Sequence, residues 1–170
     1  MQRIGFASAS GSTNSLQFLN IPQTFQDLML VIYGRSAQAV TSPQFYVYEN
    51  NDTSTNRSRT VLQGNGSAAS SYRETGSPFI ASGYLTGASA TSNLFGVAIV
   101  HYLSYANTNT FKSPLARAAS DLNGSGRTEL QVKLWPSTNA ISSLYIFNDG
   151  NSNWAAGTTA ELFGIKASAA

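Results

Sequence analysis

Apolar and polar residues alternate in short segments along the whole chain. The segment 15–19 has a period of two, and residues 44–49 (QFYVYE) place a phenylalanine and a valine on one face and two tyrosines on the other. A period of two is the repeat of a β-strand, whose successive side chains point to opposite faces. We count about eight to ten such segments, bounded by turn residues such as Gly, Asn, Asp and Ser. The pattern predicts β-structure throughout.

Two longer apolar segments predict strands in the interior. Residues 27–35 (DLMLVIYGR) are apolar on both faces, which is typical of a strand buried between two layers. Residues 93–105 (NLFGVAIVHYLSY) form the longest apolar run. The window 111–122 has some helix formers, but it contains Pro114 and ends in Ser, Asp and Asn, so we expect a strand or an irregular segment there.

The clearest alternation lies in residues 129–135 (ELQVKLW). Because apolar side chains of a half-buried strand face the core, we expect one face of this segment to point inward and the other toward solvent. The inward residues are then Leu130, Val132 and Leu134, and the outward residues are Gln131, Lys133 and Trp135. On this interpretation Val132→Asp prevents folding, whereas Lys133→Asp is tolerated.

The strand segments do not alternate with helical ones, and no change of composition and no internal repeat divides the chain. Many short strands joined by turns are typical of a sandwich. We therefore predict one all-β domain spanning 1–170, folded as a jelly-roll-like antiparallel β-sandwich. The polar segment 50–58 and the Ala/Ser/Gly-rich segment 81–93 are predicted to be exposed loops and contact surfaces.

Charge is scarce in this chain. Asp, Glu, Lys and Arg make up 11% of the residues, against about 25% in a typical globular protein. Such a low charge is expected of a protein whose surface is largely covered by neighbouring proteins. The net charge is +2 and the basic residues are scattered, so the clustered stripe of a nucleic-acid binder is missing. Cysteine is absent, which excludes disulfides and thiolate metal ligands.

The sequence also predicts where the protein is made. No segment reaches the ~18 consecutive apolar residues of a membrane span. Residues 1–10 lack the apolar centre of a secretory signal. We therefore expect a protein that is made in the cytoplasm, used as translated and not bound to a membrane.

Motifs for catalysis are lacking. His101 is the single histidine and lies in an apolar strand segment, where a packed or hydrogen-bonded role is favoured over a general base. No G-x-S-x-G elbow and no glycosidase-like carboxylate motif accompanies it. Residues 121–129 (DLNGSGRTE) imitate the start of a calcium loop, but Val132 stands where the bidentate Glu belongs, so a hairpin turn is favoured. We predict no enzyme, no metal and no cofactor.

The aromatic residues leave one alternative open. Trp135 and Trp154, together with several tyrosines, would make a platform on which sugars stack, although aromatic residues in strands more often pack in cores and interfaces. The candidate interface or glycan contacts are Trp154, Tyr72, Arg57 and Arg59.

Three stretches carry a resemblance to a known family. Residues 15–36 contain an IPQTF-x-DL turn and an apolar strand that ends in Gly-Arg-Ser, and residues 140–165 contain an AI-x-S-L strand and close on Leu-Phe-Gly-Ile. Together with 92–105 (SNLFGVAIVHYLSY), these motifs resemble a family of small tailed-bacteriophage virion structural proteins. The closing motif of that family reads Leu-Tyr-Gly-Ile, so Phe163 here keeps the shape of the tyrosine and lacks its hydroxyl.

Two residues of these motifs are expected to act as folding devices. Asp27, directly after the turn, is placed to accept hydrogen bonds from backbone amides near Phe25 and so to fix the register of the strand. Gly164, in the closing strand, permits a close backbone approach or a bulge.

The resemblance implies a β-sandwich component of a virion and brings no active site with it. We expect a capsid decoration (cement) protein that binds the major capsid protein at capsomer junctions on the virion surface and thereby favours the assembled shell. The alternatives are a tail-fibre, baseplate or receptor-binding domain that recognises glycans, and a glycan depolymerase. Low charge and open sheet edges favour self-association, and we expect a homotrimer rather than a dimer, with 50–58 and 81–93 among the contacts.

Overall fold

A computed structural model describes residues 1–167, and these residues fold almost entirely into strands and turns. A single 3₁₀ turn at Asp149–Asn151 accompanies twelve strands. The strands are β1 (Gln2–Ser8), β2 (Ser15–Phe18), β3 (Asp27–Gly34), β4 (Gln44–Glu49), β5 (Arg57–Gly64), β6 (Ala69–Ser77), β7 (Gly83–Tyr84), β8 (Gly96–Tyr102), β9 (Leu115–Asp121), β10 (Gly126–Leu134), β11 (Leu144–Asn148) and β12 (Thr159–Ile165).

The strands form two antiparallel sheets. The large sheet has the order β1-β12-β3-β8-β9-β10-β5-β6, and the small sheet has the order β2-β11-β4-β7. This arrangement confirms the predicted all-β antiparallel sandwich, with twelve strands where the sequence indicated about eight to ten. Within the described range, the structure contains no helix long and apolar enough to span a bilayer.

The chain crosses repeatedly between the two sheets. Strands β1 to β4 alternate between the large and the small sheet, and so do β7 with β8 and β11 with β12. Two hairpins, β5–β6 and β9–β10, are inserted into this alternation. Strands β10 and β5 pair with each other, so the inserted hairpins extend the large sheet beyond β8.

Apolar side chains from both sheets fill the space between them. Leu28, Leu30 and Ile32 of β3 are fully buried there. The opposite face of the same strand is not covered, and Tyr33 is 48% exposed. The prediction that 27–35 is buried on both faces is therefore wrong, because in the described residues only one layer packs against the large sheet.

Strand β10 has the opposite orientation to the one predicted from its alternation. Leu130 and Val132 are 43% and 44% exposed, whereas Gln131 and Lys133 are each 2% exposed. Trp135, directly after the strand, is also buried. The period of two is correct, but the polar face points inward, where Lys133 donates to Val47 and Ser82 and Gln131 accepts from Arg59.

The remaining segment predictions have mixed outcomes. Leu115–Asp121 is strand β9, as favoured over a helix, and 122–125 is a tight turn in which the Leu122 N–H donates to the Ser125 carbonyl at 2.8 Å. The segment 50–56 is largely exposed, whereas Arg57 is buried in β5. The prediction of an exposed loop at 81–93 holds only from residue 88 onward, because 81–87 contains β7 and is mostly buried.

The two folding devices act differently from the prediction. The Asp27 carboxylate accepts the backbone N–H of Ser104 at 2.8 Å, so it ties the start of β3 to the turn after β8 instead of to amides near Phe25. Gly164 does permit a close approach, but of a side chain: a methyl group at Gly164 would overlap the ring of Phe25.

Candidate functional site

A catalytic constellation is not formed around the single histidine. His101 Nε2 lies 3.7 Å from the Asp27 carboxylate. The nearby Ser104 donates its backbone N–H to Asp27, while its hydroxyl accepts the Gln26 side-chain amide at 3.2 Å. The hydroxyl, imidazole and carboxylate therefore do not form the proton relay of a nucleophilic serine. Within residues 1–167 no group of three His, Asp or Glu side chains is placed to hold a metal ion.

The inner face of the inserted hairpins carries charge instead of aliphatic side chains. Strand β5 contributes Arg57 and Arg59, and strand β10 contributes Glu129, Gln131 and Lys133, and all five residues are buried. These side chains point at β4 and at the segment before β7. Buried charges are tolerated only when they are paired and hydrogen-bonded, so their partners decide what this layer does.

Arg57 is held through its two terminal guanidinium nitrogens, while its buried Nε has no hydrogen-bond partner in the described residues. Its guanidinium forms an ion pair with the buried carboxylate of Glu49 and donates to the backbone carbonyl of Asp52 at 2.9 Å. Glu49 also accepts the hydroxyl of Tyr102 at 3.0 Å. The guanidinium carbon lies 5.7 Å from the centroid of the Trp135 ring, within the range of a cation–π contact.

Arg59 is bound in the same manner. It donates two hydrogen bonds to Glu74, at 2.8 and 3.0 Å, which is the bidentate geometry that favours arginine over lysine. A third donor contacts the backbone carbonyl of Ala81 at 3.1 Å and the side chain of Gln131 at 3.2 Å. The ring of Tyr72 stacks 5.4 Å from the guanidinium carbon.

The buried lysine and glutamate of β10 have shifted pKa values. Lys133 donates to the Val47 carbonyl at 3.1 Å and to the Ser82 hydroxyl at 2.9 Å, and burial lowers its pKa to about 8. Burial raises the pKa of Glu129, and the nearby guanidinium of Arg127, 2.9 Å away, opposes that shift. Lys133 therefore links β10 to the small sheet, whereas Glu129 is paired within its own strand. Both groups are buried and are not open to a substrate.

The sequence-predicted contact residues are therefore not a surface site. Arg57, Arg59 and Trp154 are buried, and Tyr72 is half-buried beneath Arg59. The first two share the inner face of β5 with their partners, whereas Trp154 packs over Gly34 at the end of β3 and donates its backbone N–H to Thr13. Its indole belongs to the core and cannot stack on a sugar in solution.

The tyrosines of β4 do not form an open platform either. Tyr46 stacks on Phe147 with centroids 5.3 Å apart, and Tyr48 meets the same ring edge-on at 4.8 Å. Phe79, which is 57% exposed, covers both tyrosines. Burial raises the pKa of Tyr46 to about 12. The rings pack against one another on the outside of the small sheet, so most of their faces are already occupied.

The outward face of the large sheet is the feature that sequence reasoning missed. We call it the outer face and define it by three rows of residues that point away from the small sheet. The central row is Glu161, Val31, Ile99, Arg117, Leu130 and Leu62; a second row is Thr159, Tyr33, Val97, Ala119 and Thr128; the third is Phe163, Met29, His101, Leu115, Val132 and Thr60.

The outer face is apolar and open to solvent. Five of its aliphatic side chains are between 43% and 56% exposed, namely Leu62, Val97, Leu115, Leu130 and Val132. Small residues such as Gly64 and Ala119 leave an open groove of about 540 Å³ beside Leu62, Val97 and Leu130. Contiguous apolar surface of this kind is typical of a contact site. The sequence does contain a trace of this face, because charged residues occupy alternate positions of β5 and β10. That these charged residues point inward, and the aliphatic residues outward, is seen only when the strands are paired.

Comparison with known proteins identifies no relative of this chain. No protein-family model, curated protein or solved structure matches the chain. The function is therefore argued from the two faces of the large sheet.

Proposed function

We propose that the chain is a structural protein of a tailed-phage particle, and specifically a capsid decoration protein that binds the assembled shell. The observation that carries the proposal is the apolar outer face, because exposed aliphatic residues on neighbouring strands are typical of a surface that a partner covers. A repetitive shell offers such a partner many times over, and binding the assembled state alone shifts assembly toward it.

We also propose that the sandwich is a jelly roll with two inserted hairpins. Without the hairpins, the large sheet has the order β1-β12-β3-β8 and faces β2-β11-β4-β7. Eight strands that alternate between two four-stranded sheets in this manner match two Greek keys, the arrangement seen in viral capsid and lectin domains. The match is an analogy of fold and supports the virion role only in that sense.

The distribution of polar groups supports an assembly role over an enzymatic one. Of the ten basic and eight acidic residues, six are buried, and ion pairs hold Arg57 and Arg59 among them. The outer face is an aliphatic surface with few charges. Catalysis needs convergent polar groups in a cleft, whereas a decoration protein needs area. We therefore favour a binding protein.

Electron cryo-microscopy of the virion tests the proposal directly. We expect regular density for the sandwich on the shell, with the outer face of the large sheet in contact with neighbouring protein. Density confined to a tail fibre or baseplate would exclude decoration and support the receptor-binding alternative.

A binding assay supplies a matched control. Purified protein is mixed with shells that lack it and is then sedimented. Leu62→Asp, on the outer face, is expected to lose most of the bound protein, because it places a carboxylate in the apolar contact. Leu103→Asp, at a 59% exposed leucine in the turn after β8, is expected to bind like the parent. Equal binding of the two variants would exclude the outer face as the contact.

A further inference from the structure

The outer face carries two opposite charges in its central row. Arg117 of β9 is exposed, and within the described residues no carboxylate lies within 4.0 Å of its guanidinium. Glu161 of β12 is partly exposed and has one ion pair, with Arg3, at 3.6 Å. Both charges therefore have capacity for a further partner in front of the sheet.

The register places these two charges symmetrically. Glu161 lies beside Val31, Val31 beside Ile99, and Ile99 beside Arg117. The midpoint of the row falls between β3 and β8, with one aliphatic residue and then one charge on each side of it. Strands in a sheet are about 4.8 Å apart, so the two charged positions are about 14 Å from each other within one chain.

We infer that a second copy of the chain covers the outer face, related by a two-fold axis that runs along the strands between β3 and β8. Such an axis exchanges β12 with β9 and β3 with β8. Arg117 of each copy then faces Glu161 of the other, and Val31 faces Ile99. The inference rests on the proposed function in treating the outer face as a contact surface. The second copy covers the part of that face from β1 to β10, and the part on β5 and β6, which includes Leu62, is left for the shell.

The other positions of the face fit the same axis. In the second row Tyr33 faces the partner's Val97, and in the third row Phe163 faces the partner's Leu115. The alternative is a two-fold axis perpendicular to the strands. It would place each strand opposite the same strand of the second copy, so that Arg117 of β9 would not face Glu161 of β12. Because like charges and unpaired buried charges oppose association, the charge pattern selects the axis along the strands.

The area is sufficient for a specific pair. The six neighbouring strands β1, β12, β3, β8, β9 and β10 give the contact a width of about 29 Å across the sheet. The three rows, two residues apart, give it a length of about 20 Å along the strands. The contact thus covers about 600 Å² of each copy, or roughly 1,200 Å² in total, which is the lower limit for a stable interface. Aligned packing of two twisted sheets about 10 Å apart is a common arrangement in sandwiches.

Charge reversal tests the pair by light scattering or sedimentation at micromolar concentration. The parent is expected at twice the 18.1 kDa mass of the chain. Arg117→Glu and Glu161→Arg should each raise the dissociation constant at least about tenfold, because each places like charges opposite one another. The double variant Arg117→Glu/Glu161→Arg should restore the dimer. A parent that is a monomer or a homotrimer, or a double variant that is not restored, would overturn the inference.

Two further variants serve as controls, and they show whether a loss of the dimer comes from unfolding or from a non-specific effect of charge. Arg73→Glu, an exposed position on β6 outside the paired strands, should remain dimeric. Because the chain has no cysteine, Arg117→Cys/Glu161→Cys supplies a covalent readout. Facing sheets lie about 10 Å apart, beyond the ~7 Å Cα separation that a disulfide needs, so a short bismaleimide linker is used in place of oxidation. It should join the two cysteines across the pair and give a covalent dimer. Failure to cross-link would count against the axis.

The outcomes separate this inference from the proposed function. A dimer of the parent that does not bind shells would overturn the decoration role and leave the pair standing. A monomeric parent that coats shells would overturn the pair and leave the decoration role standing.

Discussion

Lys133 is a buried cation whose position has a measurable consequence. Its ammonium group is enclosed by Val47 and Ser82, with Glu49 nearby and two arginines on the neighbouring strand. Burial dominates the other influences and lowers the pKa of Lys133 from 10.5 to about 8. Below that pH the folded and unfolded chains both carry the proton, and the cost of burying it reduces stability.

We expect the free energy of unfolding to rise between pH 8 and pH 10. In this window the unfolded chain retains the lysine proton that the folded chain has released, so stability increases with pH, by about 2 kcal/mol for one group. In Lys133→Met this contribution is absent. Urea unfolding of the parent and the variant at both pH values measures the difference.

Lys112 and the buried tyrosines set the limits of that measurement. Burial also lowers the pKa of Lys112, which adds a rise of the same sign to both proteins. Burial raises the pKa of Tyr46, so its contribution is present below pH 10 and is lost above it. The comparison therefore stays below pH 10. Equal slopes for the parent and Lys133→Met would contradict the shifted lysine.

A second residue-scale prediction concerns Gly164. A methyl group there overlaps the inner atoms of the Phe25 ring, which can move only if the turn before β3 moves with it. We expect Gly164→Ala to lower stability by about 1–3 kcal/mol, the usual cost of overpacking. Gly64→Ala is the matched control, since its nearest neighbours are at 3.7 and 4.0 Å and its backbone suits any residue. Thermal unfolding should show a loss for the first variant and no loss for the second.

At the scale of elements, strands β5 and β10 carry their polar face inward. Arg57 pairs with Glu49 of β4 and Arg59 pairs with Glu74 of β6, whereas Glu129 pairs with Arg127 of its own strand. Removal of one member of such a pair leaves an uncompensated buried charge. The Arg57–Glu49 pair and the hydrogen bond from Lys133 to the Val47 carbonyl thus join the hairpins to the small sheet, and their aliphatic face is free to meet another protein.

This orientation reverses the expected effects of two aspartate substitutions in β10. Lys133→Asp should unfold the protein or lower its stability by several kcal/mol, since a carboxylate would replace a donor among buried acceptors near Glu49. Val132→Asp, on the exposed face, should cost about 1 kcal/mol or less through strand propensity. Urea unfolding of both variants measures this. A larger loss for Val132→Asp would show that the outer face is already part of the core.

At the scale of the whole molecule, the class of fold was predictable from the sequence. A period of two is a local property, and turn residues mark the ends of strands in 44–49 and in 121–126 without reference to the rest of the chain. The sandwich follows from many such segments and no helical ones. The pairing order of the strands is not local, and the sequence did not indicate the two inserted hairpins.

The exposed site was beyond prediction for the same reason. In β10 the alternation separates Val132 from Lys133 but does not say which face another layer covers. The answer depends on Val47 and Ser82, which are distant in the sequence and meet Lys133 only in the folded chain. Trp154 was predicted to be a contact and is core, because its burial depends on β3 and not on the turn that carries it.

The pairing of β1 with β12 has a consequence for the order in which the molecule folds. Gln2 lies opposite Gly164, so this half of the large sheet can close only after nearly the whole chain has been synthesised. Contacts between such distant segments slow folding to the range of about milliseconds to seconds. The hairpins β5–β6 and β9–β10 form from neighbouring residues and can precede it. Newly synthesised chains would then expose aliphatic strands until β12 has been made and has paired. During that time cellular chaperones could bind these strands.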